Sequence, residues 1–159
     1  MIDPLLAKCA ATMGIAMVPV LELRGSIPFG LTLGLSPEMA FVMSVIGNLI
    51  PVPAVMLLIR SVFQWLSRWP WWERKIAWLE TRAHLKGRMV KKYRLLGLTL
   101  LVAIPLPGTG AWTGALVATL LDIRIRIALP CIFVGVLIAG GIIIAVSCGV
   151  IHIWGLKFL

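Results

Sequence analysis

The chain has 159 residues, 60% of them hydrophobic, and a formal net charge of +9. Its mean hydropathy is +1.02, whereas a soluble domain is typically about 45–50% apolar. This composition excludes an ordinary soluble domain and predicts a single integral membrane domain over residues 1–159.

Long apolar runs indicate where the chain crosses a bilayer. Residues Met39–Ile59, Leu95–Leu121 and Ile127–Leu156 contain no Asp, Glu, Lys or Arg, and each is long enough for a membrane-spanning helix of about 20 residues. The stretch Pro4–Leu21 carries only Lys8 and is close to the minimum length. The length of the chain allows about four to six membrane segments with short connections.

The positive charge is concentrated between the apolar parts. From Arg60 to Arg94 there are ten Lys or Arg against two Glu, a net charge of +8. A basic block between apolar runs is typical of a cytoplasmic loop, so we expect this segment in the cytoplasm and expect no nucleic-acid binding.

Within this block, Trp71–Tyr93 has the spacing of a basic amphipathic helix on the membrane surface. The alternative is a solvated linker helix. The tryptophans are consistent with interfacial belts at the two membrane surfaces: Trp65, Trp69, Trp71, Trp72 and Trp78 at the cytoplasmic one, and Trp154 at the other.

The two apolar parts share one plan, which predicts a first repeat at 1–60, a linker at 61–94 and a second repeat at 95–159. Each repeat has an apolar arm, a breaker rich in Gly and Pro, a short second arm and a long apolar helix. The breakers are Glu22–Gly30 and Pro105–Gly114.

The arms are too short to cross a bilayer alone. Leu95–Ile104 would form about 15 Å of helix, and Ala111–Leu121 is similar, so we predict a re-entrant hairpin that returns to the cytoplasm. A single crossing is the alternative, and it would place Arg124 and Arg126 outside. The predicted fold is therefore all-α, an inverted-topology repeat of a re-entrant helical hairpin plus a transmembrane helix.

Glu22 and Arg24 are the most prominent candidates for function, because charged residues inside a membrane are costly and are usually paired or functional. Ser26 with Pro28, and Thr109 before Ala111, are typical of helix starts. Two helix starts and Arg24 would form an anion site near the midplane. Glu22 could carry a proton; alternatively, Glu22 and Arg24 only neutralise each other or lie in an external loop.

Further residues could line this anion site. The substrate-binding candidates are Arg24, Gly25, Ser26, Asn48, Gly108, Thr109, Gly110 and Thr113. Asn48 could equally bond a carbonyl freed at a proline kink.

Chemical catalysis is not expected. Cys9, Cys131 and Cys148 are far apart and lack metal-ligand spacing, and no nucleophile, base and carboxylate set is evident. We expect no metal, no cofactor, no catalytic residue and no enzymatic activity.

The motifs ELRGSIPFG at Glu22 and PLPGTGAWTG at Pro105 resemble those of the small multidrug export protein family, which itself looks related to the DedA/VTT membrane proteins. The resemblance implies two re-entrant hairpins and a transport role in a bacterial-type inner membrane. Glu22 and Arg24 match acidic and arginine residues of such hairpins. The second hairpin departs from that pattern, since Leu95–Leu121 has no arginine.

Three functions follow as hypotheses. The first is a transporter or flippase for an anionic amphiphile such as a polyprenyl phosphate or phospholipid, with protons as a possible coupling ion. The second is an exporter of cationic drugs that depends on Glu22. The third is a non-transporting membrane assembly factor. Membrane lipid is the expected partner, and the small size of the two halves suits a homodimer.

Overall fold

The computed structural model describes residues 3–66, 89–106 and 108–157. These residues form helices joined by short turns, with no strand among them, which confirms the all-α part of the predicted fold. The helices are α1 (Pro4–Ala16), α2 (Glu22–Thr32), α3 (Pro37–Leu49), α4 (Pro51–Leu66), α5 (Met89–Ala103), α6 (Ala111–Leu120) and α7 (Ile125–Lys157).

The first pair of short helices turns earlier than the sequence suggests. The chain reverses at residues 17–21, and α2 already begins at Glu22, with Pro28 inside the helix. The prediction that Ser26 and Pro28 start the second arm is therefore wrong. Leu23 and Ile27 are both buried on one face of α2, and this packing outweighs the local cost of an interior proline.

The first long helix is interrupted by a proline but not ended by it. Ser36 caps α3 by accepting a hydrogen bond from the Met39 backbone N–H (3.4 Å). Ile50 keeps helical backbone angles between α3 and α4, and Pro51 follows it directly. The combined stretch Pro37–Val62 is apolar and long enough to cross a membrane.

The second pair of short helices agrees better with the prediction. α5 ends at Ala103 and α6 covers Ala111–Leu120, close to the predicted arms. Pro105 cannot continue a helix, and Gly108 and Gly110 take positive φ angles of 86° and 152°. α7 then supplies a second apolar stretch of membrane-spanning length, Ile125–Gly149.

The short helices α2 and α6 end in the same way. Gly34 and Asp122 have φ angles of 78° and 50°, and each follows a helix that closes with a Schellman motif. The Leu35 N–H donates to the Gly30 carbonyl (3.1 Å), and the Ile123 N–H donates to the Ala118 carbonyl (2.8 Å).

A close helix contact also occurs once in each half. A Cβ atom at Gly47 of α3 would overlap the Met13 carbonyl and lie 2.9 Å from the Ala16 Cβ of α1. A Cβ atom at Gly135 of α7 would lie 2.9 Å from the Thr99 carbonyl of α5 and 2.7 Å from the Val102 Cβ. In both halves, a glycine on the long helix lets the backbone of the first short helix approach closely.

The halves also cross over one another. α2 of the first half packs against α7, and α6 of the second half packs against α4. At the end of this contact, Arg60 and Asp122 form an exposed ion pair of 3.3 Å. The pair brings the end of α4 to the α6–α7 turn, so Arg60 lies at the same end of the molecule as Asp122.

Part of the basic linker lies outside the described residues. This applies to most of the predicted amphipathic helix Trp71–Tyr93, and to Trp69, Trp71, Trp72 and Trp78. Its last residues, from Met89, belong to α5 instead. Trp65 is exposed near the end of α4.

The close contacts at Gly47 and Gly135 predict a stability effect. Gly47→Ala and Gly135→Ala should each lower the free energy of unfolding by about 1–3 kcal/mol, because the added methyl group forces two backbones apart. Gly141→Ala is the matched control, since no atom lies within 4 Å of its added Cβ. Reversible unfolding in detergent, followed by circular dichroism, measures all three; equal effects at the three positions would contradict the proposed close packing.

Candidate functional site

The site forms where the N-terminal ends of α2 and α6 meet. Glu22, the first residue of α2, is only 6% exposed and has a positive φ of 42°. Such an angle is uncommon for a residue with a side chain. It places Glu22 at the end of the 17–21 turn, next to the start of α6 in the other half.

The Glu22 carboxylate satisfies the start of α6. Its Oε1 accepts a hydrogen bond from the Trp112 backbone N–H at 3.2 Å, and its Oε2 occupies the space that a Cβ on Gly110 would need. A helix start has unpaired N–H groups and a partial positive charge. Glu22 therefore acts as an N-cap supplied from another helix.

The prediction that Thr109 caps α6 is wrong. Gly110 is the N-cap residue and makes no side-chain cap bond. The Thr109 hydroxyl instead lies within the turn, 2.8 Å from the Ile104 carbonyl and 2.9 Å from the Leu106 carbonyl, and accepts from the Leu106 N–H at 3.2 Å. The hydroxyl thus stabilises the turn, and the cap position is left to Glu22.

Arg24 also reaches across to the second half. Its Nη2 donates to the Thr109 carbonyl at 2.7 Å and lies 3.0 Å from the Thr109 hydroxyl. No ion pair joins Glu22 to Arg24; both side chains contact the 109–112 segment instead. Arg24 and Glu22 therefore hold the two halves together side by side, rather than merely neutralising each other.

A small cavity of about 10 Å³ lies beside this contact. Glu22, Arg24 and Asn48 contribute its polar lining, and Val102, Val136 and Ile143 contribute apolar walls. Asn48 is completely buried, and neither its Nδ2 nor its Oδ1 has a hydrogen-bond partner.

The other predicted residues are divided between the site and its surroundings. Gly108 and Thr113 lie at the turn, where the Thr113 hydroxyl donates to the Gly108 carbonyl at 2.7 Å. Gly25 and Ser26 lie within α2 and do not line the cavity; Ser26 is fully buried, with no partner for its hydroxyl. The structure thus brings Glu22, Arg24, Asn48, Thr109 and Gly110 together.

Sequence reasoning missed the contact between Glu22 and the start of α6. The structure supplies the missing alignment, because its two Schellman turns, at Gly34 and Asp122, are 88 residues apart. This offset relates Glu22 to Gly110 and Asn48 to Val136, and all four residues line the cavity. The first half supplies the polar side chains at these positions, whereas the second half supplies a glycine and an apolar wall.

Among the described residues, two apolar helical stretches are long enough to cross a membrane, as expected for a membrane protein. Residues 22–142 match the family described as "Putative small multi-drug export protein". Because the match covers more than half of the chain, the protein belongs to this family. No curated protein and no solved structure matches the chain.

The contact between Gly110 and Glu22 predicts energetic coupling. Gly110→Ala should destabilise the protein by pushing the carboxylate away from α6, and its cost should fall by at least about 1 kcal/mol in a Glu22→Ala background. Unfolding of the four proteins of this double-mutant cycle in detergent measures the coupling.

Gly108→Ala is the matched control for this cycle. Its φ of 86° is also strained by a side chain, but no atom lies within 4 Å of the added Cβ. The loss of stability caused by Gly108→Ala should therefore simply add to the loss caused by Glu22→Ala. Coupling of the same size at both glycines would contradict a specific contact.

Proposed function

We propose that this protein is a transporter or flippase that moves an anionic amphiphile across the inner membrane, with Glu22 exchanging a proton for the anionic head group. The observation that carries the proposal is the carboxylate of Glu22 at the start of α6. A site that binds one carboxylate with backbone N–H groups suits a phosphate or carboxylate of a ligand as well.

Competition between Glu22 and the ligand anion for the start of α6 would couple proton uptake to ligand binding. A ligand anion that takes the α6 start places a second negative charge beside Glu22, and two like charges in a desolvated site disfavour each other. Glu22 can leave the site by accepting a proton, while Arg24 turns from the Thr109 carbonyl to the ligand. A guanidinium can bind a phosphate or carboxylate through two parallel hydrogen bonds.

The lengths of the short helices support a re-entrant arrangement. α1, α2, α5 and α6 contain 13, 11, 15 and 10 residues, or about 15–23 Å of helix, against a hydrocarbon thickness of about 30 Å. We propose two hairpins that enter from opposite sides in an inverted repeat. The Arg60–Asp122 end would face the cytoplasm with the basic linker.

Export of cationic drugs is the second candidate. The family description favours it, and the buried carboxylate of Glu22 could bind a cation. Arg24 and the start of α6 both oppose a cation at this position, which is why we place this function second. A lipid-phosphate substrate and kinship with DedA/VTT proteins remain hypotheses based on the motif resemblance, and an assembly role would need neither charge.

Substitutions at the two charges distinguish these functions. In vesicles containing a fluorescent phosphatidic acid, Arg24→Ala should slow lipid movement at least about tenfold, because a charge-assisted pair is lost from the site. Glu22→Gln should retain movement but lose its dependence on an imposed pH gradient. Lys8→Ala is the control for loss of a basic residue and should behave as the unaltered protein.

The same vesicles loaded with ethidium test the cationic alternative. If Glu22→Gln abolishes ethidium efflux and Arg24→Ala does not, the protein exports cations and the anionic proposal is wrong. If both variants move both probes normally, neither transport proposal holds and the assembly role gains support.

Cysteine labelling tests the hairpins. With Cys9, Cys131 and Cys148 replaced, a cysteine at Asp122 should react with a membrane-impermeant maleimide from the cytoplasmic side. Cysteines at Val20 and Leu106, in the two turns, should be protected from both sides because the turns lie within the bilayer. Rapid labelling of either turn from bulk water would exclude a re-entrant hairpin there.

A further inference from the structure

Asn48 has a conspicuous deficit of hydrogen bonds. Its amide can donate two hydrogen bonds and accept two, yet the fully buried side chain makes none with the described protein atoms. Buried polar groups nearly always have a partner, because leaving one unpaired costs its full desolvation energy. The amide therefore calls for a ligand in the adjoining cavity.

The cavity limits what this ligand can be. Its volume of about 10 Å³ is near the minimum that a single water molecule occupies, and is too small for a lipid head group. Of the side chains that line it, only Glu22 and Arg24 carry charge. Arg24 and the start of α6 disfavour a metal cation, and the Glu22 carboxylate disfavours a second anion, so a neutral polar molecule fits best.

We propose that Asn48 and Glu22 share one bound water molecule in this cavity and that protons reach Glu22 through it. The water oxygen accepts a hydrogen bond from Asn48 Nδ2, and its two hydrogens go to Asn48 Oδ1 and to a Glu22 carboxylate oxygen. When an excess proton arrives on the water, an O–H bond to Glu22 forms as one on the water breaks, which regenerates neutral water. Asn48 itself never ionises and is a positioning residue.

The water site stands on burial and cavity size alone, whereas its role in proton delivery rests on the proposed function. The offset of 88 residues relates Asn48 to Val136, which also lines the cavity. At the related position, the apolar side chain of Val136 is sufficient for packing. The amide of Asn48 is therefore consistent with a role beyond packing.

Nuclear magnetic resonance of the chain in nanodiscs tests the water directly. With side-chain ¹⁵N-labelled asparagine, the Asn48 amide protons should show rotating-frame cross-relaxation with water, even though the residue is fully buried. The signal identifies Asn48 by its loss in Asn48→Leu. An Asn48 amide that shows no transfer from water would overturn the proposal, whatever the transported ligand is.

Thermal stability gives a second, independent test. Asn48→Leu, which keeps the approximate volume, should lower the melting temperature by several degrees, because Glu22 then loses a hydrogen-bond partner. A rise in melting temperature would show that Asn48 had no ligand. Ser44→Ala is the matched control: Ser44 is one turn earlier on α3, fully buried and unpartnered, but does not line the cavity, and its loss should not lower the melting temperature.

A transport measurement distinguishes the existence of the water site from its role in delivering protons. Asn48→Leu should lower the ratio of gradient-driven to gradient-free movement of the fluorescent phosphatidic acid about tenfold. If the water signal is present but this ratio is unaffected, the proton-delivery part of the proposal is wrong and the water site stands. If the unaltered protein moves no lipid under either condition, the proposed function fails instead.

Discussion

The contact between the Glu22 carboxylate and the start of α6 is the interaction on which the site depends. A helix start inside an apolar protein leaves backbone N–H groups away from bulk water, and each unpaired group costs several kcal/mol in lipid-like surroundings. α6 has no side-chain cap of its own, so it needs an acceptor from elsewhere. Glu22 has the complementary need, since a buried carboxylate requires donors. Either group alone would be destabilising, and together they link the two halves.

This mutual need explains why the two halves differ although their helices pack alike. Both halves close their short helices with the same turn and seat a glycine of the long helix against the first short helix. The polar side chains at the centre nevertheless come from the first half, through Glu22, Arg24 and Asn48. The second half offers backbone groups and the space left by Gly110. One chain thus forms one asymmetric site, although its two halves share these turns and close contacts.

The sequence predicted the parts of this arrangement that depend on local chemistry. Pro105 and two positive-φ glycines mark the second turn, so the predicted arm Ala111–Leu121 differs from α6 by one residue. The start of α2 was mispredicted because Ser26 and Pro28 also suit a helix start, and only the burial of Leu23 and Ile27 decides otherwise. The pairing of Glu22 with Trp112 joins residues 90 positions apart, and no local pattern specifies such a contact. Candidate residues could be named in advance, but their partners could not.

The net charge of the site determines whether it favours an anionic or a cationic ligand. A helix start contributes about half a positive charge, and the starts of α2 and α6 meet here beside the full charge of Arg24. Glu22 cancels only one unit, so about one positive charge remains while Glu22 is ionised, and more when it is protonated. Low polarity magnifies this excess, because apolar walls such as Val102 and Val136 screen charge poorly. A cation would therefore enter against the field in either state of Glu22, whereas an anion gains most when Glu22 is neutral. In the proposed function, an anion that enters favours the protonated, neutral form of Glu22, so anion binding and proton uptake would support each other.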